Sequence, residues 1–164
     1  MSHPFLAAAA AAMVMLSISP ASAFAQETAE PSVDVGSEAE AAASVVDAFH
    51  AALESGETDV ALALMADDAM VFEEGGAERS RTEYASHHLQ ADAAYAAASE
   101  STLARRVGRA SGDVAWIMSE GRTVGQAGNS ATARLTVETV VLARGSDGWQ
   151  IRHIHWSSRT APET

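Results

Sequence analysis

The stretch LTVETVVLARGSDGWQIRHIHWSSR, residues 135–159, contains two segments rich in β-branched and aromatic residues on either side of a turn sequence. The turn, Gly145 to Gly148, consists of glycine, serine and aspartate, which are residue types that favour tight turns. The pattern therefore predicts a β-hairpin formed by strands at 130–144 and 149–158.

Two more strands are predicted before this hairpin, at 101–110 and 113–124. Ser111-Gly112 separates these two strands, and the polar segment 125–129 separates the second of them from the hairpin. Consecutive strands joined by short turns are typical of an antiparallel meander.

The region before the meander favours helices. Ser37 and Glu40 have the spacing of a capping box, in which two side chains satisfy free backbone N–H groups at a helix start. Gly56 is placed to end this helix. Its predicted apolar stripe consists of Val45, Val46, Phe49 and Leu53.

A second capping box, SRTE at 80–83, predicts a helix that continues to about Ala98. A short helix beginning near residue 58 and a short strand at 70–72 are expected between the two capped helices. Helices collected before a run of antiparallel strands predict an α+β fold, with the helices covering one face of the sheet.

The N-terminus has the features of an export signal. Residues 5–18 form an uncharged apolar run that is too short to span a bilayer, and small residues precede a cleavage site at Gln26. We therefore expect a signal peptide at 1–25, a polar linker at 26–37 and one domain at 38–160. The mature protein is expected in the periplasm or outside the cell, without a membrane anchor.

The composition excludes several kinds of chemistry. The chain has no cysteine and no lysine, which removes thiolate nucleophiles, thiolate metal ligands and lysine Schiff bases. The net charge of −12 and the lack of a basic stripe argue against binding to nucleic acid. No glycine-rich phosphate loop follows a predicted strand, so no nucleotide cofactor is expected.

Several segments, in their order, resemble a known superfamily: the helix ending at Gly56, LALMADDAMVFEEGG at 62–76, SRTEYASHHLQAD at 80–92 and the hairpin at 135–159. The resemblance covers residues 40 to 159. It is to the nuclear-transport-factor-two-like superfamily, and within it to the SnoaL-like and ketosteroid-isomerase-like branch.

This resemblance implies a cone, in which a strongly curved sheet wraps about three N-terminal helices and leaves a pocket at the wide end. It also implies a homodimer, since superfamily members often pair through the sheet. The scaffold serves isomerases, dehydratases, cyclases, hydrolases and binding or dimerisation modules, so the fold alone does not give the function. The roles of a ketosteroid-isomerase-type aspartate base and Tyr/Asp oxyanion hole are not assigned to residues of this chain.

The hairpin carries the candidate catalytic residues. An even-length turn places Glu138 opposite His155, with His153 on the same face of the sheet. A carboxylate beside a histidine fixes the ring tautomer and stabilises the imidazolium, which suits general acid/base catalysis. A cross-strand polar pair with a purely structural role has the same pattern.

The helix from residue 80 offers the opposite wall of a pocket. Tyr84, His88 and Asp92 lie on one stripe, whereas His87 is about 100° away. Tyr84 or His153 is a candidate hydrogen-bond donor to a substrate. If the stripe faces the hairpin, His88 joins Glu138, His153 and His155 in a candidate site for zinc, copper or iron.

Trp116, Met118 and Glu120 alternate along the strand 113–124 and become further pocket residues if the following loop has five residues. Residues of this kind also form ordinary core. Acyl-enzyme chemistry is not expected, because Ser157-Ser158 lacks the glycine-flanked turn of a serine nucleophile.

Three functions remain open at this point. The first is acid/base catalysis of the isomerase, dehydratase or hydrolase type on a small organic substrate. The second is a non-enzymatic periplasmic module that binds a metal ion or a small-molecule ligand. The third is a dimerisation module without an active site.

Overall fold

The predicted meander forms the centre of a larger sheet in the computed structural model of the chain, which describes residues 30–127 and 130–162. The strands are β1 (Ser32–Val35), β2 (Met65–Glu73), β3 (Gly76–Glu78), β4 (Ser99–Ser111), β5 (Val114–Ala127), β6 (Ser130–Gly145) and β7 (Gly148–Thr160). The helices are α1 (Glu40–Glu54), α2 (Thr58–Ala63), α3 (Arg81–His87) and α4 (Leu89–Ala97), with a 3-10 turn at Ser37–Ala39.

Within the described residues, the sheet has seven strands in the order β1-β4-β5-β6-β7-β2-β3. Neighbours from β4 to β7 are antiparallel, as predicted, whereas β1 runs parallel to β4 and β2 runs parallel to β7. The sheet is curved and does not close on itself, which confirms the α+β cone. None of the helices within residues 30–127 and 130–162 is long and apolar enough to cross a membrane.

The core lies between α1 and one face of the sheet, which we call the inner face. Val46, Phe49 and Leu53 of α1 are buried there, as the predicted stripe required, together with Ile117 of β5 and Ile154 of β7. The opposite face of the sheet, which we call the outer face, has exposed large apolar side chains such as Met118 and Val137.

Two of the predicted helix signals act as expected. Gly56 has a φ of +72°, and its N–H donates to the Leu53 carbonyl, so it closes α1. Ser80 Oγ accepts the Glu83 N–H at 3.1 Å. Glu83 in turn accepts the Arg79 N–H at 2.7 Å, one residue earlier than in a standard capping box.

Three other predictions are corrected. The Ser37 side chain makes no capping bond, because a 3-10 turn precedes α1. The helix predicted from 80 to 98 breaks at His88 into α3 and α4. Within the expected linker, Ser32–Val35 pairs with β4 as a strand. The expected signal peptide, 1–25, lies outside the described residues.

The hairpin register differs from the prediction by one residue. Arg144 faces Trp149 and Leu142 faces Ile151, which is the register of an even-length turn, but Val141 then faces His153. Arg152 is therefore an extra residue, a β-bulge. Its guanidinium forms an ion pair with Asp68 of β2.

The bulge reverses the facing of every residue beyond it. Glu138 pairs with Trp156, and His155 pairs with Thr139, so the predicted Glu138–His155 pair is wrong. Glu138 and Trp156 face the inner side of the sheet. His153 and His155 face the outer side.

Gly121 marks a place where two strands leave no room for a side chain. A Cβ at this position would lie 2.9 Å from the Thr102 carbonyl oxygen, which is backbone and cannot move away easily. We expect Gly121→Ala to lower the free energy of unfolding by about 1–3 kcal/mol, measured by chemical denaturation. Gly145→Ala is the matched control, because nothing lies within 4 Å of a Cβ there. Equal stability of the two variants would contradict this close approach.

Candidate functional site

A cavity of about 790 Å³ lies between α1, α4 and the inner face of the sheet. This volume is in the range that holds small organic ligands. Apolar walls come from Leu53, Val71, Ala96 and Leu103, and polar groups are concentrated at two places on the lining.

The first polar group is centred on Glu138, whose side chain is only 9% exposed. Its Oε2 accepts two hydrogen bonds, each of 2.7 Å, from His50 Nε2 of α1 and from the Trp156 indole N–H of β7. Its Oε1 is buried and has no hydrogen-bond partner among the described residues. Trp156 also stacks on Phe49 of α1, which holds the indole in place.

The His50 ring is 38% exposed and borders the cavity. Burial disfavours its charged form, but the hydrogen bond and the negative charge of Glu138 outweigh burial and raise the pKa of His50. Burial by itself would raise the pKa of Glu138. The hydrogen bonds from His50 and Trp156 outweigh burial, so the pKa of Glu138 is lowered.

This arrangement has a definite chemical consequence. Because Nε2 donates to Glu138, the neutral His50 ring carries its basic lone pair on Nδ1, which has no hydrogen-bond partner among the described residues. The histidine is thus held in one tautomer and is able to accept and return a proton. Glu138 is the carboxylate that orients it.

Arg106 completes this side of the cavity. Its Nε donates to Ser119 Oγ at 3.1 Å, and its guanidinium forms an ion pair with Asp47. The positive charge of Arg106 further lowers the pKa of Glu138 and opposes the rise in the pKa of His50.

The second polar group lies on the opposite wall. Asp92 Oδ2 accepts the Tyr84 hydroxyl at 2.9 Å, so these two residues are in contact although they lie on separate helices, α3 and α4. Burial raises the pKa of Asp92, and burial together with the charge of Asp92 raises the pKa of Glu73. Tyr84 is fully buried beneath this wall, and burial followed by the charge of Asp92 raises its pKa, so its hydroxyl stays protonated.

Most of the predicted catalytic and metal residues do not meet. His153 and His155 face outward, and His153 Nδ1 donates to the Met70 carbonyl at 3.1 Å. His88 lies beside Glu78, with Nδ1 2.5 Å from Oε1. The predicted metal set of His88, His153, His155 and Glu138 is therefore spread over both faces of the sheet, because the bulge turned the two histidines outward.

The predicted pocket residues on β5 are also corrected. Ala127 pairs with Ser130, so the loop has two residues and not five. Trp116 and Met118 consequently face outward, opposite Val141 and Thr139. Glu120 borders the cavity mouth, but its carboxylate lies 3.5 Å from the Arg105 guanidinium. Of the other predicted pocket residues, His88 and Asp92 line the cavity.

His50 is the functional residue that the sequence reasoning missed. It lies next to Phe49 and one turn after Val46, on the side of α1 that faces the core. A titratable residue on the edge of an otherwise apolar stripe was the available signal. Without the fold, nothing linked this helix to the middle of β6.

The model of one family, described as a SnoaL-like domain, matches residues 42–161. The chain belongs to the SnoaL-like domain family. The match confirms the resemblance inferred from the helix and hairpin segments. No curated protein matches the chain.

Several solved structures are similar to this SnoaL-like chain. A candidate ketosteroid isomerase from Shewanella frigidimarina is 37% identical, with 77% of this chain and 99% of that chain covered and a TM-score of 0.68. A protein of unknown function from Pseudomonas putida, of the nuclear-transport-factor-two-like type, is 21% identical over 75% of this chain and 88% of that chain (TM-score 0.63). A candidate dehydratase from Streptomyces avermitilis is 20% identical over 76% and 97%, with a TM-score of 0.62. The last two show the shared fold.

The His50–Glu138 pair of this SnoaL-like domain predicts a pH dependence of stability. The raised pKa of His50 stabilises the folded chain fully below about pH 6.5. This contribution is lost as the pH rises through the folded-state pKa. The lowered pKa of Glu138 stabilises the folded chain fully above about pH 4.5. This contribution is lost as the pH falls through the folded-state pKa. The contribution of the pair to the free energy of unfolding is therefore greatest between these values.

The test is a set of urea denaturation curves from pH 4 to 9, compared for the wild type and Glu138→Gln. We expect the variant to lose the decline in stability above pH ~6.5 that the wild type shows. His155→Gln, on the outer face, is the control and should keep the wild-type profile. An unchanged profile in Glu138→Gln would show that the pair does not titrate as described.

Proposed function

We propose that this SnoaL-like protein is an enzyme that moves a proton on a small organic substrate bound in the cavity. His50 is the general acid/base, and Glu138 is the residue that positions it. The observation that carries the proposal is the 2.7 Å bond from His50 Nε2 to a buried carboxylate at the cavity wall.

The reaction follows from the tautomer. Neutral His50 takes a proton from a carbon next to a carbonyl group through Nδ1, and the resulting imidazolium is stabilised by the negative charge of Glu138. Returning the proton to another carbon of the same molecule gives an isomerisation. Giving it to a departing hydroxide gives a dehydration, with water as the second product. Both reactions balance without a further reactant.

The opposite wall supports the binding of a polar substrate group. Asp92 and Glu73 border the cavity, and burial raises the pKa of each carboxyl. A carboxyl with a raised pKa gives up its proton less readily than a free carboxyl, which favours hydrogen bonding to a carbonyl oxygen of the substrate. The 37% identity to a candidate ketosteroid isomerase and the fold shared with a candidate dehydratase favour reactions of these two types.

A general probe for a positioned base is 5-nitrobenzisoxazole, whose ring opens to a coloured phenolate when its C–H proton is removed. We expect the wild type to accelerate this reaction, with a rate that rises with pH through the raised pKa of His50. His50→Ala is expected to lower kcat/KM by roughly 10²- to 10⁴-fold. Glu138→Gln should lower the rate and shift its pH midpoint downward, because the charge that raises the pKa of His50 is gone.

His155→Ala is the control variant, since this side chain faces away from the cavity. It is expected to keep wild-type kinetics. A wild-type rate in the His50→Ala variant would eliminate His50 as the base. Binding of the probe without turnover in the wild type would favour a non-enzymatic ligand-binding module.

We also propose that the protein is a homodimer that pairs through the outer face of the sheet. Met70, Phe72, Met118 and Val137 are exposed on this face. Phe72 packs edge-on against His153, with ring centroids 4.8 Å apart, so the patch continues from β2 onto β7. Exposed apolar side chains on one face of a sheet favour an interaction site there.

Light scattering after size exclusion is expected to give twice the chain mass for the wild type. Val137→Asp should give the monomer, because a charge would be buried in the interface. Val33→Asp is the matched control: Val33 is 57% exposed and Val137 is 51% exposed, but Val33 lies on the edge strand β1. Monomeric wild type, or dissociation by both substitutions, would contradict pairing through this face.

A further inference from the structure

Glu78, Glu83 and His87 form a second group of potential ligand atoms, away from His50 and Glu138. One ligand atom from each of the three residues lies within 4.8 Å of the other two. Glu83 and His87 are one turn apart on α3, so their side chains lie on the same face of that helix. Glu78 comes from the end of β3, so the group joins a strand to a helix.

The separations suit a metal ion. His87 Nδ1 lies 3.2 Å from Glu78 Oε2. Two ligands that are each ~2.0–2.1 Å from a tetrahedral zinc ion lie roughly 3.3–3.4 Å apart, so only a small movement of the exposed His87 ring is required. The Glu78 side chain, by contrast, is only 9% exposed and provides a fixed point.

Neighbouring groups already orient both carboxylates. His88 Nδ1 lies 2.5 Å from Glu78 Oε1 and donates to it, which leaves Oε2 directed towards His87. The Arg79 N–H donates to one oxygen of Glu83 at 2.7 Å and leaves its other oxygen available. Hydrogen bonds of this outer kind orient the ligands in protein metal sites.

The charges match a dication. Two carboxylates and one neutral imidazole carry a formal charge of −2, which a divalent ion neutralises. The Arg79 guanidinium donates to the Ala77 carbonyl at 3.2 Å. A mixed set of nitrogen and oxygen ligands favours zinc or a similar transition metal over magnesium or calcium.

We propose that Glu78, Glu83 and His87 bind a divalent transition metal ion of the zinc type, with His88 as a positioning residue. This site shares none of its three ligands with the set expected from the sequence. It lies at the rim of the cavity, because Glu78 and His88 border it. The proposal does not depend on the proposed proton transfer.

Calorimetric titration of the EDTA-dialysed full chain with zinc chloride tests the site. We expect one zinc ion per chain and a rise in Tm with excess zinc, because an ion that binds only the folded chain stabilises it. His87→Ala and Glu83→Gln should each abolish this stoichiometric binding. His88→Ala should keep one ion per chain and weaken the affinity by roughly 10- to 100-fold, as expected of an outer-shell partner.

Two variants are the matched controls: His155→Ala removes another exposed histidine, and Glu57→Gln removes another exposed glutamate. Both are expected to bind zinc like the wild type. Circular dichroism of every variant distinguishes loss of the site from loss of the fold, and cobalt absorption in the visible range reports tetrahedral coordination independently. The proposal is overturned if the wild type shows no saturable zinc binding, or if folded His87→Ala and Glu83→Gln variants still bind one ion.

Discussion

The β-bulge at Arg152 is the constraint on which the site depends. One extra residue in β7 exchanges the two faces of the strand beyond it, so Trp156 faces inward and His153 and His155 face outward. The bulge lies beside an irregular stretch of β2, between Met65 and Met70, and the Arg152–Asp68 ion pair joins the two strands at this level. The inward position of Trp156 is what gives Glu138 its second hydrogen-bond donor.

The environment of Glu138 then determines the chemistry available in the cavity. A buried carboxylate is costly unless donors and positive charge surround it. Here the indole N–H, the His50 ring and the charge of Arg106 together lower the pKa of Glu138. The negative charge of Glu138 in turn holds His50 in one tautomer and raises its pKa. The low pKa of Glu138 and the high pKa of His50 therefore have one cause, since each group stabilises the charged form of the other.

The two walls of the cavity are electrostatically different. On the side of β6, cationic groups favour ionised Glu138. On the side of α4, burial raises the pKa of Asp92 and of Glu73, and the negative charge of Asp92 raises the pKa of Glu73 further. A cavity with an oriented histidine on one wall and carboxyls of raised pKa on the other suits proton transfer on a polarised substrate. The outer face has neither feature, and its exposed apolar side chains fit an interface better than a catalytic site.

Local sequence signals account for most of the elements and for their order. Residue alternation, turn residues and the SRTE capping box are local signals, and they predicted the four-stranded meander, the α+β class and the helix start at residue 80. They also selected Glu138 as the important carboxylate and Tyr84 with Asp92 as one stripe. The tertiary structure decided the partner of Glu138. That choice depends on a one-residue bulge and on the packing of α1 against β6 and β7, which bring together residues 88 positions apart. No local sequence pattern predicts the bulge or this packing, because a bulge leaves the composition unchanged and the packing of a helix on a sheet depends on the whole core.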